Sequence, residues 1–397
     1  MIHLFINALA ASAGGGLTYV RNVIPSLAEH TDVKVSIAVS PGLREEFRQL
    51  TNVEFVCLDL SPVRRFWFEQ TKLPELIRRS GANVLLSTGN FALRKSPVPQ
   101  ILLSRNSIYT SADYSRDLRQ RHEYWTWGDT HLRALLAKRS IHWADVTVAP
   151  SEAFAAEIRK WTGVSVLSIH HGFDRGAFVH NPKPLPEETE AKICAADGAL
   201  KLLFVSHYNY YRNFETLIRA LPLVRREMGN RKVRLLLTCE LVAGKNPGEY
   251  RPDMAASLIK ELGISEMVVG LGAIPYQQLH QLYTRADFYV TPAYTETFAH
   301  PLVEAMSSGL PVIASDIPVH REICEEAAVY VEKFSPTAFA EATVRLATSP
   351  ESAKSMATAG RQRAKAFSWK KHAEQILELA RTLVSPSFLQ PREIARV

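Results

Sequence analysis

The apolar positions of this 397-residue chain fall into short runs separated by stretches with helical spacing. Met1 to Leu9 form one such run. It stops at Ala10-Ala11-Ser12-Ala13-Gly14-Gly15-Gly16, after which Leu17, Val20, Ile24 and Leu27 recur every three or four positions. That order predicts a strand, a glycine loop and an amphipathic helix, disturbed late by Pro25, which removes a backbone donor. Val33 to Val39, Val53 to Leu58, Val84 to Ser87, Gln100 to Ser104, Val146 to Ala149 and Val164 to Ile169 are further β-branched or leucine-rich runs between helical patterns. Strands of a parallel sheet are buried on both faces, so they read as continuous apolar runs.

His170-His171-Gly172-Phe173-Asp174 leads into a segment, His180 to Ala199, rich in Pro, Glu and Lys. The pattern then restarts with strands at Lys201 to Val205, Val233 to Cys239, Met267 to Leu271, Phe288 to Thr291, Val312 to Ser315 and Val329 to Glu332. Two doubly wound α/β domains are predicted, at residues 1–180 and 200–367, with a linker at 181–199. Tail helices follow at about 350–366 and 370–385, the last placed back on the first domain.

A chain that is 46% hydrophobic and 22% charged can bury a large core, which excludes disordered, collagenous and coiled-coil readings of the whole. Five of its seven net positive charges fall in the first 180 residues. That surplus suits an anionic small molecule or a membrane surface, and equally a solvated surface. No nucleic-acid-binding motif accompanies it, so no nucleic-acid partner is expected. Cys57, Cys194, Cys239 and Cys324 lie far apart, without metal-ligand spacing, and read as reduced thiols. No run of about 18 apolar residues occurs, so a cytoplasmic protein is expected. Arg64-Arg65-Phe66-Trp67-Phe68 and the stretch around Arg119, Arg121, Trp125, Trp127 and Arg133 mix cations with aromatics. They read either as peripheral contact of the first domain with the inner membrane face or as helices packing aromatics inward.

In open parallel sheets ligands bind beyond the carboxyl ends of strands, and tandem domains create a cleft. Gly15 and Gly16 follow the first strand; the loop serves as a tight turn or lets a phosphate approach closely. Arg105 and Asn106 follow a later strand, as acceptor contacts or as a surface ion pair. Ser206-His207-Tyr208-Asn209-Tyr210-Tyr211-Arg212-Asn213 places a permanent cation and a titratable ring at a helix start, a setting suited to a diphosphate. The richest stretch is Thr291 to Ser315. Pro301 opens a helix there and Gly309 ends it, the amides of Phe298 to Leu302 face a ligand, and Glu304 sits one turn inside, where a carboxylate can accept two ribose hydroxyls.

Glu296 to Ser315 resembles the E-x7-E signature of the retaining GT-B glycosyltransferases of the group 1, or family 4, type. Gly14 to Gly16, the Arg212-Asn213 loop and Gly172-Phe173-Asp174 occur in that family's order. The resemblance implies two Rossmann-like domains and a nucleotide diphosphate sugar (UDP, GDP or similar) as donor. It also implies a glycan, lipid-linked or other hydroxyl acceptor, and no metal or other cofactor. Carried over by position, catalysis falls to Glu296 near the donor sugar and Arg212 at the diphosphate, with His207 where the family commonly has a second arginine. Donor binding falls to Gly15, Gly16, Phe298, Ala299, His300, Pro301, Leu302 and Glu304, the last on the ribose. Thr297 and Ala299 replace the family's two usual glycines, and His300 replaces a commonly aliphatic residue. A sugar-nucleotide epimerase and a nonenzymatic two-lobed binding protein are the competing readings; release of nucleoside diphosphate separates them from a transferase.

Overall fold

The computed structural model of the protein describes residues 1–11, 14–179, 183–246 and 250–385. Its contacts divide the chain into two compact units. The first comprises Met1–Thr110, Gly128–Gly172 and Ser368–Val397, the second Ser111–Trp127 and Phe173–Phe367.

The first unit carries, among the described residues, the strands β1 (Ile2–Asn7), β2 (Val33–Val39), β3 (Val53–Cys57), β4 (Val84–Ser87), β5 (Gln100–Leu103), β6 (Val146–Ala149) and β7 (Val166–Ser168). They pair in parallel in the order β3-β2-β1-β4-β5-β6-β7. Successive side chains of a strand point to opposite faces. Leu4 and Ile6 accordingly join the core beneath the helices Gly14–Ala28 and Trp369–Leu383, while Phe5 joins the opposite core with Leu73, Ile77 and Leu85. The C-terminal helix brings Trp369, Ile376, Leu377 and Leu383 into the first core. At about 1.5–3 kcal/mol per large apolar side chain buried, these four contribute about as much as a domain's whole net stability. The first unit is therefore incomplete without the far end of the chain.

In the second unit β8 (Leu200–Phe204), β9 (Val233–Leu237), β10 (Val268–Gly270), β11 (Phe288–Thr291), β12 (Val312–Ser315) and β13 (Ala328–Val331) form a parallel sheet in the order β10-β9-β8-β11-β12-β13. Its boundaries differ from the expected ones. Phe173 already belongs to it, as do residues 183–199 with the helix Glu187–Cys194; Asn181 and Pro182 of the expected linker, and His180 before it, lie outside the described residues. Ser111–Trp127 also joins it, because Asp113, Arg121 and Glu123 find ionic partners there and Asp117 accepts a hydrogen bond from Tyr294. No described helix is long and apolar enough to cross a membrane.

Gly172 ends the second stretch of the first unit, where it meets the start of the C-terminal helix. A Cβ on Gly172 would collide with the backbone of Ser368 and Trp369, and backbone cannot swing aside as a flexible side chain can. Gly172→Ala is therefore expected to destabilise the protein by at least about 2 kcal/mol, in the range of overpacked sites. Urea denaturation checks this, and an unchanged midpoint would contradict the close approach.

Candidate functional site

The strand order of the second unit reverses between β8 and β11, the place where an open α/β sheet leaves a crevice for ligands. The two loops leaving these strands are stitched together. Tyr294 N donates to Tyr211 O (3.1 Å), Asn213 Nδ2 donates to Pro292 O (3.1 Å) and Lys333 O (2.7 Å), and Arg212 Nη1 pairs with Glu296 Oε1. Asn213 has φ of 58°, a left-handed conformation that asparagine tolerates better than most residues. It thereby turns the chain from the short 3-10 turn Tyr210–Arg212 into the helix Phe214–Met228. Arg212 and Glu296, paired from opposite loops, are thus brought together. Arg212 Nη2 carries no hydrogen bond among the described residues and keeps an outlet to solvent. Glu296 thus holds Nη1, Nε is buried without a hydrogen-bond partner, and Nη2 is the donor that faces outward.

Glu304 stands less open than a residue expected to accept both ribose hydroxyls. It is 4% exposed, and Tyr283 donates its hydroxyl to Glu304 Oε2 at 2.8 Å from the neighbouring helix Leu279–Tyr283. Oε1 has no partner among the described residues and is not sealed from solvent, so one oxygen, not two, is available to a ligand. Burial is the larger influence on this carboxyl and pushes its pKa up to about 7, against the opposing hydrogen bond from Tyr283.

The helix His300–Ser308 begins one residue before Pro301 and ends at Gly309 in the left-handed conformation. Ala299 precedes it at φ 63° and ψ 64°. This is the second position at which the resembled pattern has glycine, and the backbone keeps the glycine conformation although the residue is alanine. Two of the expected amide donors are lost, those of Leu302 and Pro301. Leu302 N already bonds Ala299 O at 3.0 Å, and the Leu302 side chain is fully buried. Phe298 is buried too, its ring edge-on to Phe367. His300 packs beside Phe298, and Pro301, inside the first turn, has no N–H to offer.

His207 reaches solvent at the mouth of the loop after β8. Partial burial, and then the nearby Arg212 charge, lower its pKa, so it is mainly neutral at pH 7 and a weaker anion partner than the arginine commonly found there. It also lines a cavity of about 190 Å³ with residues following β9 and β10.

Gly15, Gly16, Arg105 and Asn106 belong to the first unit; Ser12 and Ala13 of the glycine loop lie outside the described residues. Arg105 forms no ion pair among the described residues. It donates to Gly15 O (2.9 Å) and Thr88 O (2.5 Å), and its own backbone N–H donates to Asn90 Oδ1 (2.6 Å). Its guanidinium also lies 3.4 Å from the place a Cβ on Gly16 would take. The expected acceptor contact is thus occupied in fastening the glycine loop, and burial lowers the Arg105 pKa to about 10. Asn106 caps the turn Ser107–Tyr109 by accepting from Ile108 N (3.3 Å), a local structural task.

Residues that sequence reasoning missed cluster around Arg121. It bonds Asp117 (2.7 Å) and Glu215 (3.0 Å), Tyr208 donates to the same Glu215 oxygen (2.9 Å), and Tyr294 donates to Asp117 (2.8 Å). Ser111–Trp127 therefore braces both loops that carry Arg212 and Glu296. The sequence signal was there, as a run mixing cations with aromatics, but its partners lie 94 and 177 positions away.

Two stability measurements follow from this geometry. An L-residue in the left-handed region costs about 1–2 kcal/mol, and glycine returns about 0.4–1 kcal/mol of that to the unfolded chain's entropy. Ala299→Gly is thus expected to raise stability by up to about 1 kcal/mol, read from the thermal midpoint, and a lowered midpoint would argue against a strained backbone. The Glu304 pKa is raised on folding from 4.5 to about 7, so ionisation works against the folded state. The stability is complete below about pH 4.5, declines as pH rises, and is lost above about pH 7, a difference of about 3 kcal/mol. Glu304→Gln, which keeps an acceptor for Tyr283, should flatten that decline in urea titrations between about pH 5 and about pH 8; a decline as steep as the parent's would show that Glu304 is not its source.

Comparison with known proteins gives the same organisation. A family model described as Glycosyltransferase Family 4 matches residues 13–176, and one described as Glycosyl transferases group 1 matches residues 187–363. The D-inositol 3-phosphate glycosyltransferase of Nocardia farcinica is 32% identical over 192 residues, 47% of this chain and 42% of that protein. The enzyme of the same name from Corynebacterium urealyticum is 25% identical over 256 residues, 63% of this chain and 60% of that protein. The chain thus spans less than two thirds of the length of these curated relatives. Among solved structures, sucrose-phosphate synthase from Thermosynechococcus elongatus aligns with a TM-score of 0.73 at 21% identity, covering 96% of this chain and 99% of that one. HepE of Anabaena in complex with UDP aligns with a TM-score of 0.70 at 15% identity, covering 96% and 100%. The two parallel sheets are those of the two-domain α/β, GT-B type of fold, and with the two family models meeting along nearly its whole length, the chain belongs to the group 1 glycosyltransferases of family 4.

Proposed function

We propose that the protein transfers a sugar from a nucleoside diphosphate sugar to an acceptor hydroxyl with retention at the anomeric carbon, in the building of a polysaccharide, lipopolysaccharide or other glycoconjugate. The second unit binds the donor and the first the acceptor. The observation that carries this reading is the half-committed guanidinium of Arg212, held by Glu296 through Nη1 with Nη2 left unclaimed beside the strand reversal. The HepE structures hold UDP and UDP-glucose, which supports a nucleotide sugar as donor class. The names of the relatives make an inositol phosphate one acceptor to test.

In this reading negative charge builds on the departing diphosphate as the anomeric C–O bond breaks, and Arg212 stabilises it; no metal is required. Preorganised charge of this kind acts where the transition state differs most from the ground state. The acceptor oxygen bonds to the same face of the anomeric carbon, and its proton passes to the leaving phosphate oxygen, so no separate base is needed. Glu296, tied to Arg212, faces the donor sugar, and Glu304 offers Oε1 to one ribose hydroxyl while Tyr283 holds Oε2. The exposed Val63 and Trp67 of the first unit, beside Arg64, support peripheral contact with an anionic membrane face.

Acceptor-dependent release of nucleoside diphosphate tests the reading. Arg212→Ala is expected to lower turnover by about two to three orders of magnitude, the usual consequence of losing one charge-stabilising donor. Turnover within a few-fold of the parent would remove Arg212 from the mechanism.

A further inference from the structure

The cavity of about 190 Å³ in the second unit is lined by neither Arg212 nor Glu304. It lies at the carboxyl ends of β8, β9 and β10, where His207, Glu240 and Gly272 follow their strands and Lys245 and Asn246 complete the wall. His207 also belongs to the loop that carries Arg212, so the cavity shares that loop with the proposed diphosphate position.

Its polar groups are unspent. The Glu240 carboxylate has no hydrogen bond or ion pair among the described residues, and neither has the Lys245 ammonium. Asn246 Nδ2 donates to Glu240 O at 2.6 Å, which fixes the amide and leaves its Oδ1 as an acceptor. Glu240 Oε1 lies 3.5 Å from the place a Cβ on Gly272 would occupy. Gly272 itself has φ of +76°, so a side chain there would be strained, and its Cβ would stand in contact with the carboxylate. The glycine keeps the acid's face of the cavity open.

We propose that this cavity takes the nucleobase of the donor and that Glu240 selects guanine, making the donor a guanosine diphosphate sugar. The proposal rests on the donor reading above. A diphosphate in the cavity would face the carboxylate, whereas a base can satisfy both of the lining's charges. The Watson–Crick edge of guanine presents two adjacent donors, N1–H and the N2 amine, to the two oxygens of Glu240, and its O6 acceptor to Lys245. Uracil offers a single N3–H flanked by two carbonyl oxygens, so one oxygen of the carboxylate would meet a like partial charge. Adenine offers one amine beside a ring nitrogen lone pair, with the same conflict. An acid left half-satisfied in a partly dry cavity discriminates strongly, because the wrong base leaves a desolvated acceptor unpaired.

Calorimetric binding of GDP, UDP and ADP to the full chain tests this. GDP is expected to bind at least about tenfold more tightly than UDP or ADP, the discrimination typical of one bidentate base contact. Glu240→Gln should bring GDP down to the level of UDP while leaving UDP affinity within a few-fold. Circular dichroism confirms that the variant is folded. Equal or tighter binding of UDP or ADP by the parent chain overturns the guanine assignment while leaving the donor reading intact, as does a GDP preference that survives Glu240→Gln. Failure of all three nucleotides to bind the parent chain overturns the donor reading itself, and the assignment with it.

Discussion

The site depends on one buried ion pair. Arg212 and Glu296 come from loops that leave adjacent strands, their side chains are only 17% and 8% exposed, and they meet where the strand order reverses. Removing one partner of such a pair leaves an uncompensated charge and costs about 3–5 kcal/mol. The two loops are therefore held in one relation to each other before any ligand arrives. A guanidinium positioned in this way needs no reorganisation when negative charge appears beside it, which is the condition under which a fixed cation acts on a transition state.

Around this pair the second unit carries a second layer of polar contacts. Arg121 reaches Glu215 at the start of the helix behind Arg212, and Asp117 holds the hydroxyl of Tyr294, two residues before Glu296. Burial on its own would push the Asp117 carboxyl toward its neutral form; the neighbouring Arg121 charge and the Tyr294 hydrogen bond act against that shift. A stretch of chain lying between strands of the first sheet in sequence thus stiffens the loops of the second. A buried network is favourable only when nearly every member has its partner, and among the described residues Glu215 Oε2 is left without one.

The first unit solves a different problem. Its glycine loop has little side-chain substance with which to anchor itself, and Arg105 supplies the anchor by donating to Gly15 O and Thr88 O from a buried position over the Tyr19 ring. Tyr19 in turn meets His372 Nε2 at 3.0 Å, and Trp369 packs edge-on against it. The start of the first helix, the end of β5 and the C-terminal helix are thereby locked into one cluster. The large apolar surface buried by the C-terminal helix makes that lock part of the core as well as of the loop.

The amino-acid sequence by itself determined the class of fold and the places of most strands. Val33–Val39, Val84–Ser87, Val146–Ala149, Phe288–Thr291 and Val312–Ser315 are strands over the same residues that the apolar runs mark. Burial on both faces of a parallel sheet writes itself as an uninterrupted local pattern. Arg212, Glu296 and Glu304 could be singled out as candidates because strand, loop and helix signals sit within a few residues of them. Only the tertiary structure decided that Arg105 fastens a loop, that Tyr283 occupies half of Glu304, that Ala299 keeps a glycine's backbone, and that Ser111–Trp127 belongs with the second sheet. Each of these rests on partners distant in the chain, or on a backbone angle imposed from outside the residue. Hydrophobic periodicity records which face of an element is buried; it carries no record of what that face is buried against.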